Sequence, residues 1–380
     1  MSRTVARFPA LAAALLASIA LAACTADAPQ PSPAKSVAAP PAADPGTAQT
    51  PEPAGALGPR FGASCAELLD PAAAGFPGTS APTGDSAPDA AEFYGPGDQS
   101  VASRRQSGVL HCVWGNGTDE PQYGPTAVLS VIADRSADAQ AEIGSWLSLG
   151  ATDLGLGDRS AGRCLPELFQ CSAEVELGGT WFYVQLLDQG SDSPLGGARG
   201  QAVLQAAAKQ IATALASRQP RPAWAAPASG WDVAAGCGDL GGAALDSRIG
   251  AGGFLAGPEL EGDDGPLRIA LRTDRLDCAW TAASKRADGT GPDFSLGVVA
   301  GAGWVWPSLG GASGVTSTEV AVEGADRAAF RCSGDAVKTC WADAIADGAW
   351  VQLAFRNPAD ATQDDTVRAL TAVLAGHAAS

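Results

Sequence analysis

Apolar and polar positions along this chain alternate in the manner of short strands broken by a few helices. Residues 108–114 and 126–133 are rich in β-forming side chains and flank a turn containing Asn116 and Gly117. The spacing then changes to that of a helix over 136–149, with Ile143, Trp146 and Leu147 on one face. Residues 159–164, 170–176 and 180–187 read as three consecutive strands. A helix over 201–216 follows, with Leu204, Ala208, Ile211 and Leu215 at helical spacing. Upstream, Ser64 and Glu67 form a capping-box pattern that opens a short helix through Leu69, and Pro71 stops it.

The second half follows the same order. Strands are predicted near 267–272, 277–281, 294–299, 326–332, 339–344 and 350–355, and a closing helix over 364–374. Its middle helix is degraded, because 301–314 is rich in glycine and contains Pro307. Strands that follow one another without crossover helices imply antiparallel sheets, so the predicted class is α+β.

Eight of the nine cysteines fall into two sets with similar spacing. Cys65, Cys112, Cys164 and Cys171 are separated by 47, 52 and 7 residues; Cys237, Cys278, Cys332 and Cys340 by 41, 54 and 8. Cys112-Val-Trp114 matches Cys278-Ala-Trp280, and the DR-x-A-x-RC string ending at Cys164 matches the one ending at Cys332. Trp181 and Trp350 each stand just before a Val-Gln-Leu triplet. These matches predict an internal duplication. The expected organisation is a first α+β repeat at 59–218, a linker at 219–229 and a second repeat at 230–380. Each would be an antiparallel sheet with packed helices and two disulfides. The Pro-rich composition around 217–230 predicts modest contacts between the repeats.

Four cysteines per repeat favour disulfides in an oxidising compartment. Zinc would call for a C-x2-4-C spacing or histidine partners, and His111 and His377 are the whole histidine complement, so no metal or cofactor is expected. Each set allows three pairings. The expected ones join the sequence-local cysteines, Cys164–Cys171 and Cys332–Cys340, leaving Cys65–Cys112 and Cys237–Cys278.

The N-terminus decides the expected location. Arg3 and Arg7 precede an uncharged stretch, 8–26, which contains Leu21-Ala22-Ala23-Cys24. That resembles the lipobox of bacterial lipoprotein signal peptides, which implies removal of 1–23 and a diacylglycerol on Cys24. An uncleaved membrane helix is the rival; Pro9 and the small residues before Cys24 fit a cleaved signal better. Residues 24–58 read as a lipidated tether, with eight prolines in 25–58. An extended polyproline-like chain of that length reaches on the order of 100 Å. Loss of Arg3 and Arg7 would take the formal charge from −17 to −19. Such acidity, without a basic cluster, argues against nucleic acid as a partner.

Together these motifs resemble actinobacterial cell-surface lipoproteins that carry a lipobox, a Pro/Ala/Ser tether, a Cys-x-x-Leu-Leu helix start and a later Cys-x-Trp strand. Here they are Cys24, 25–58, Cys65-Ala-Glu-Leu68-Leu69 and Cys112-Val-Trp114. Cys237-Gly-Asp-Leu240 departs from the pattern by lacking the second leucine. The resemblance implies architecture and an extracytoplasmic place at the membrane, and no reaction.

Catalytic signatures are sparse. His111 adjoins a strand cysteine and His377 is expected at a frayed end, which leaves a Ser-His-Asp mechanism without its base. Ser32-Pro-Ala-Lys35 matches S-x-x-K but lies in the tether. The glycine pairs at 155/157 and 250/252 lack a nucleotide loop's third glycine, and Asp263-Asp264 lacks calcium-loop spacing. Trp114 and Trp280 are expected to pack on their disulfides. Trp304 and Trp306 either pack inward or, if exposed, form a partner-binding surface. The expected function is a non-enzymatic envelope lipoprotein that binds a protein, glycan or small ligand. An acidic-residue hydrolase and a transporter-associated solute-binding lipoprotein are the alternatives.

Overall fold

A computed structural model describes residues 57–84, 99–116, 124–190, 193–233, 240, 254–256, 274–282, 293–309, 315–333, 340–355 and 362–379. Cys24, the tether as far as residue 56 (Ser32 to Lys35 included), Cys237, Asp263, Asp264, Gly250 to Gly252 and the strand expected at 267–272 lie outside the described residues.

Helices and two wholly antiparallel sheets make the fold α+β. The first sheet contains β1 (Thr83–Gly84), β2 (Leu110–Trp114), β3 (Thr126–Ala133), β4 (Arg159–Leu165), β5 (Gln170–Leu177) and β6 (Thr180–Leu187), in the order β1-β2-β3-β6-β5-β4. The second contains β7 (Phe254–Ala256), β8 (Arg275–Ala282), β9 (Asp293–Val299), β10 (Val315–Glu319), β11 (Arg327–Ser333), β12 (Cys340–Ala346) and β13 (Ala349–Phe355), in the order β10-β11-β12-β13-β9-β8-β7.

Strand alternation sends successive side chains to opposite faces, and each sheet is covered on both. On one face of the first sheet, Leu129, Val175 and Val184 pack against α1 (Cys65–Leu68) and α4 (Gly197–Leu215). The α4 contact uses Leu204, Ala208, Ile211 and Leu215, the four residues at helical spacing. On the other face, Ile132, Trp181 and Tyr183 pack against Ile143 and Trp146 of α3 (Ser136–Ser148). Leu147 does not join them. It turns outward at 36 % exposure, because one residue past Trp146 is about 100° around the helix. In the second sheet, Leu296, Val298, Val351 and Leu353 pack against Leu370 and Val373 of α5 (Gln363–Ala379).

Only the remaining face departs from this scheme. Where the sequence shows a broken helix, Ala302–Ser308 is a short 3-10 turn that contributes Ala302 and Val305. A helix from the first half, α2 (Gln99–Ser107), lies beside it and adds Ala102 to the same cluster with Val299, Ile345 and Trp350. The linker composition pointed to modest contacts between the halves. The structure instead inserts a first-half helix against the second sheet.

Among the described residues three disulfides join cysteine pairs: Cys65–Cys112, Cys164–Cys171 and Cys332–Cys340. The two short ones join directly opposed residues of neighbouring strands. Cys278 is also disulfide-bonded, and Cys237, its expected partner, is outside the described residues. The first bridge pins α1 to β2. Its Ser64 cap is met by the Glu67 carboxylate, which accepts from the Ser64 N–H at 2.7 Å and is held below the ordinary carboxylate range mainly by that bond. Trp114 is buried in the same cluster as Cys65 and Cys112. The side chain of Trp280 is not among those described.

Replacing Cys65 and Cys112 together by Ala opens a 47-residue loop in the unfolded chain. Loop entropy predicts a loss of about 4 kcal/mol, against about 2.5 kcal/mol for the Cys164–Cys171 pair. Denaturant titration of the two double variants checks the ranking, and non-reducing peptide mapping should add Cys237–Cys278 to the three bridges above.

Candidate functional site

The seam between α2 and the second sheet is where residues far apart in sequence converge. Seven of the nine α2 residues are polar, yet Gln99, Ser103 and Gln106 are buried. They sit at positions i, i+4 and i+7, one face of the helix. Each meets a partner from the second half. Gln99 Nε2 donates to the carbonyls of Gly297 (2.9 Å) and Trp350 (3.2 Å). Ser103 Oγ donates to Asp274 Oδ1. Gln106 Nε2 donates to Asp274 Oδ2 and to the Ala300 carbonyl, both at 2.9 Å, while its Oε1 accepts from Trp304 Nε1 at 3.0 Å. Gly297 leaves room for this contact: a Cβ on this strand residue would meet the Gln99 amide and push it aside. Burial pushes the Asp274 carboxyl up to about 6, although Ser103, Gln106 and Arg275 all pull it down.

Trp304 and Trp306 are therefore not an exposed pair. Both are half-buried against the seam cluster. The Trp304 N–H is taken by Gln106, and the Arg327 guanidinium lies 4.9 Å from the Trp306 ring centre.

Beneath the seam the second sheet holds a fully buried ion pair. Arg331 Nε donates to Asp343 Oδ2 at 2.6 Å, and Arg331 Nη1 donates to the Leu309 carbonyl at 2.9 Å. Asp343 Oδ1 also accepts from Trp350 Nε1 at 2.8 Å and from Gln352 Nε2 at 2.9 Å. All of these groups belong to the packed sheet, so the cluster holds the 3-10 turn in place rather than presenting an acid to solvent.

The other residues considered for chemistry have structural occupations. His111 Nδ1 is 3.0 Å from Ser130 Oγ on the neighbouring strand. His377 was expected at a frayed end. It is helical, stacks on Trp231 with ring centres 3.8 Å apart, and lies 3.3 Å from Asp347, which fastens the chain end to the turn between β12 and β13. Asp158 accepts from the Gly178 N–H at 2.7 Å. Gly157, at φ +62°, lies so close to the Glu176 carbonyl that no side chain fits. Among the described residues no group of three or more His, Cys, Asp or Glu is placed to hold a metal ion. An open groove of ≈ 590 Å³ runs between α1 and α4, lined by Leu68, Leu69, Ala206, Lys209 and Gln210. No described helix is long and apolar enough to cross a membrane.

No family model, curated protein or solved structure matches this chain.

The sequence marked Trp304 and Trp306 but gave no sign of Gln99, Ser103, Gln106 or Asp274. A polar helix has no apolar periodicity to reveal it, and the glycine at 297 was the one available hint of a close approach. The buried pair supplies a prediction. Asp343→Ala strands a buried guanidinium and should cost about 3–5 kcal/mol, measured by urea unfolding. Arg327→Ala removes a half-exposed stacking contact and should cost about 1 kcal/mol or less.

Proposed function

We propose that this chain is a lipid-anchored extracytoplasmic protein without enzymatic activity. In this reading it displays two related, disulfide-stapled domains on a long tether to bind an envelope protein, glycan or small ligand. The observation that carries the reading is Leu21-Ala22-Ala23-Cys24 ahead of a disulfide-stapled folded part. Disulfides persist where thiols are not kept reduced, so three of them in one chain support an oxidising compartment. The acidic balance favours solubility there and disfavours nucleic acid.

Descent of the two domains from one duplicated unit is supported by strand order. Read from β7, the second sheet runs β7-β8-β9-β13-β12-β11, matching β1-β2-β3-β6-β5-β4, with β10 added at the edge. Cys164 opposes Cys171 as Cys332 opposes Cys340, and Glu176 opposes Trp181 as Ile345 opposes Trp350. The Asp158 and Asp326 amides donate to the carbonyls of Glu176 and Ile345 at 2.8 Å each. Antiparallel pairing throughout also sits better with this reading than with the parallel lobes of solute-binding proteins. Of the two tryptophans, Trp306 is the better candidate for partner contact, since the polar end of Trp304 is already engaged.

The anchor is tested with Cys24→Ser. The variant should lose lipid labelling and appear in the medium. Membrane retention without label would overturn the lipoprotein assignment. A photocrosslinker placed at residue 306 in intact cells then tests the contact surface by whether a discrete adduct forms.

A further inference from the structure

The seam around Asp274 is more than a packing contact, because among the described residues this half-buried carboxylate has only neutral hydrogen-bond donors. The groups facing it from α2 are the neutral Ser103 and Gln106. From β8 comes its neighbour Arg275, which is itself paired with Asp277 at 2.6 Å. From the 3-10 turn comes the neutral indole of Trp304, through Gln106. Arg104 and Arg105 of α2 are half-buried on the same helix, and Arg275 is the charged residue acting on the carboxyl. Removal from water disfavours the ionised carboxylate here by more than these neutral donors favour it, so the site accommodates Asp274 better with its proton than without it.

We propose that the junction of α2 with the second sheet is a proton-sensitive lock between the two halves of the chain, tightest in acid, with Asp274 as the titrating group. Five of the hydrogen bonds that hold α2 run to the Asp274 carboxylate, to the carbonyls of Gly297 and Ala300, or onto the Gln106 amide, so undocking the helix breaks them as a set. Opening lets Asp274 reach water and return to its ordinary value of 3.8; closing raises it to about 6. The closed state therefore binds more protons between those values. Its advantage is full below the lower value and is lost as pH rises through the upper one. For these two values the opening constant falls about tenfold from pH 7 to pH 5 and flattens above pH 7. A protein outside the cytoplasmic membrane would meet such changes directly.

Hydrogen exchange of the full chain, corrected for the intrinsic pH dependence of exchange, reads opening at residues 99–107. The wild type should open about tenfold less at pH 5 than at pH 7. Asp274→Asn keeps an amide of the same shape that never ionises, and should lose that dependence. If this variant fails to fold, Ser103→Ala serves instead. It removes a donor that favours the ionised carboxylate, so the midpoint should move to higher pH. Gly297→Ala displaces Gln99 and should raise opening at every pH, which shows that the readout follows the seam. A wild-type opening constant that does not change with pH overturns the lock. So does an Asp274→Asn profile that keeps the tenfold change, a Ser103→Ala midpoint that stays put, or α2 protection unaffected by Gly297→Ala.

Discussion

A buried polar group must find a partner, and the docking of α2 answers to that constraint more than any other part of the structure does. Gln99, Ser103 and Gln106 carry donors that would cost several kcal/mol if desolvated without acceptors. Their partners are drawn from β9, β13, the 3-10 turn and Asp274, the residue just before β8. One helix thereby ties together several elements of the other half. An apolar contact of similar size would tolerate sliding; a set of directional bonds holds one arrangement.

The rest of the architecture is built to present that seam. Disulfides and apolar layers close the far faces of both sheets, around α1 and α4 in one case and α5 in the other. The Arg331–Asp343 pair braces the near face, reaching from β11 and β12 to the carbonyl of Leu309 at the end of the 3-10 turn. Such a pair adds little net stability, because desolvation offsets most of the attraction. Its geometry still fixes where the turn sits, and with it the Trp304 indole that caps Gln106.

Tension between hydrogen bonding and burial gives the seam its chemistry. Desolvation pushes the Asp274 carboxyl up to about 6. Asp153, by contrast, takes the Gly155 N–H and the Ser160 hydroxyl in an open turn and is held below its ordinary range. Two aspartates with comparable donors diverge because one is largely shielded from water and the other is exposed.

Period-two and helical spacing were enough to place β2 to β6, β8, β9, β11 to β13 and helices α1, α3, α4 and α5 within a few residues, and cysteine spacing gave three bridges that the structure forms. These features are local: a strand's alternation or a helix's apolar stripe is written in neighbouring residues. Helix α2, strand β10, the outward turn of Leu147 and the fastening of His377 were not legible. In each case the deciding partner is distant in sequence. The polar α2 is stable only against acceptors 168 to 251 residues away, and β10 is an exposed strand held by its pairing with β11. By itself the sequence determined the class, three of the disulfides and most elements, because those follow from short-range periodicity and spacing. Only tertiary structure decided which helix covers the second sheet and that Asp274 is shielded from water, because shielding is a property of what the whole chain brings to one place.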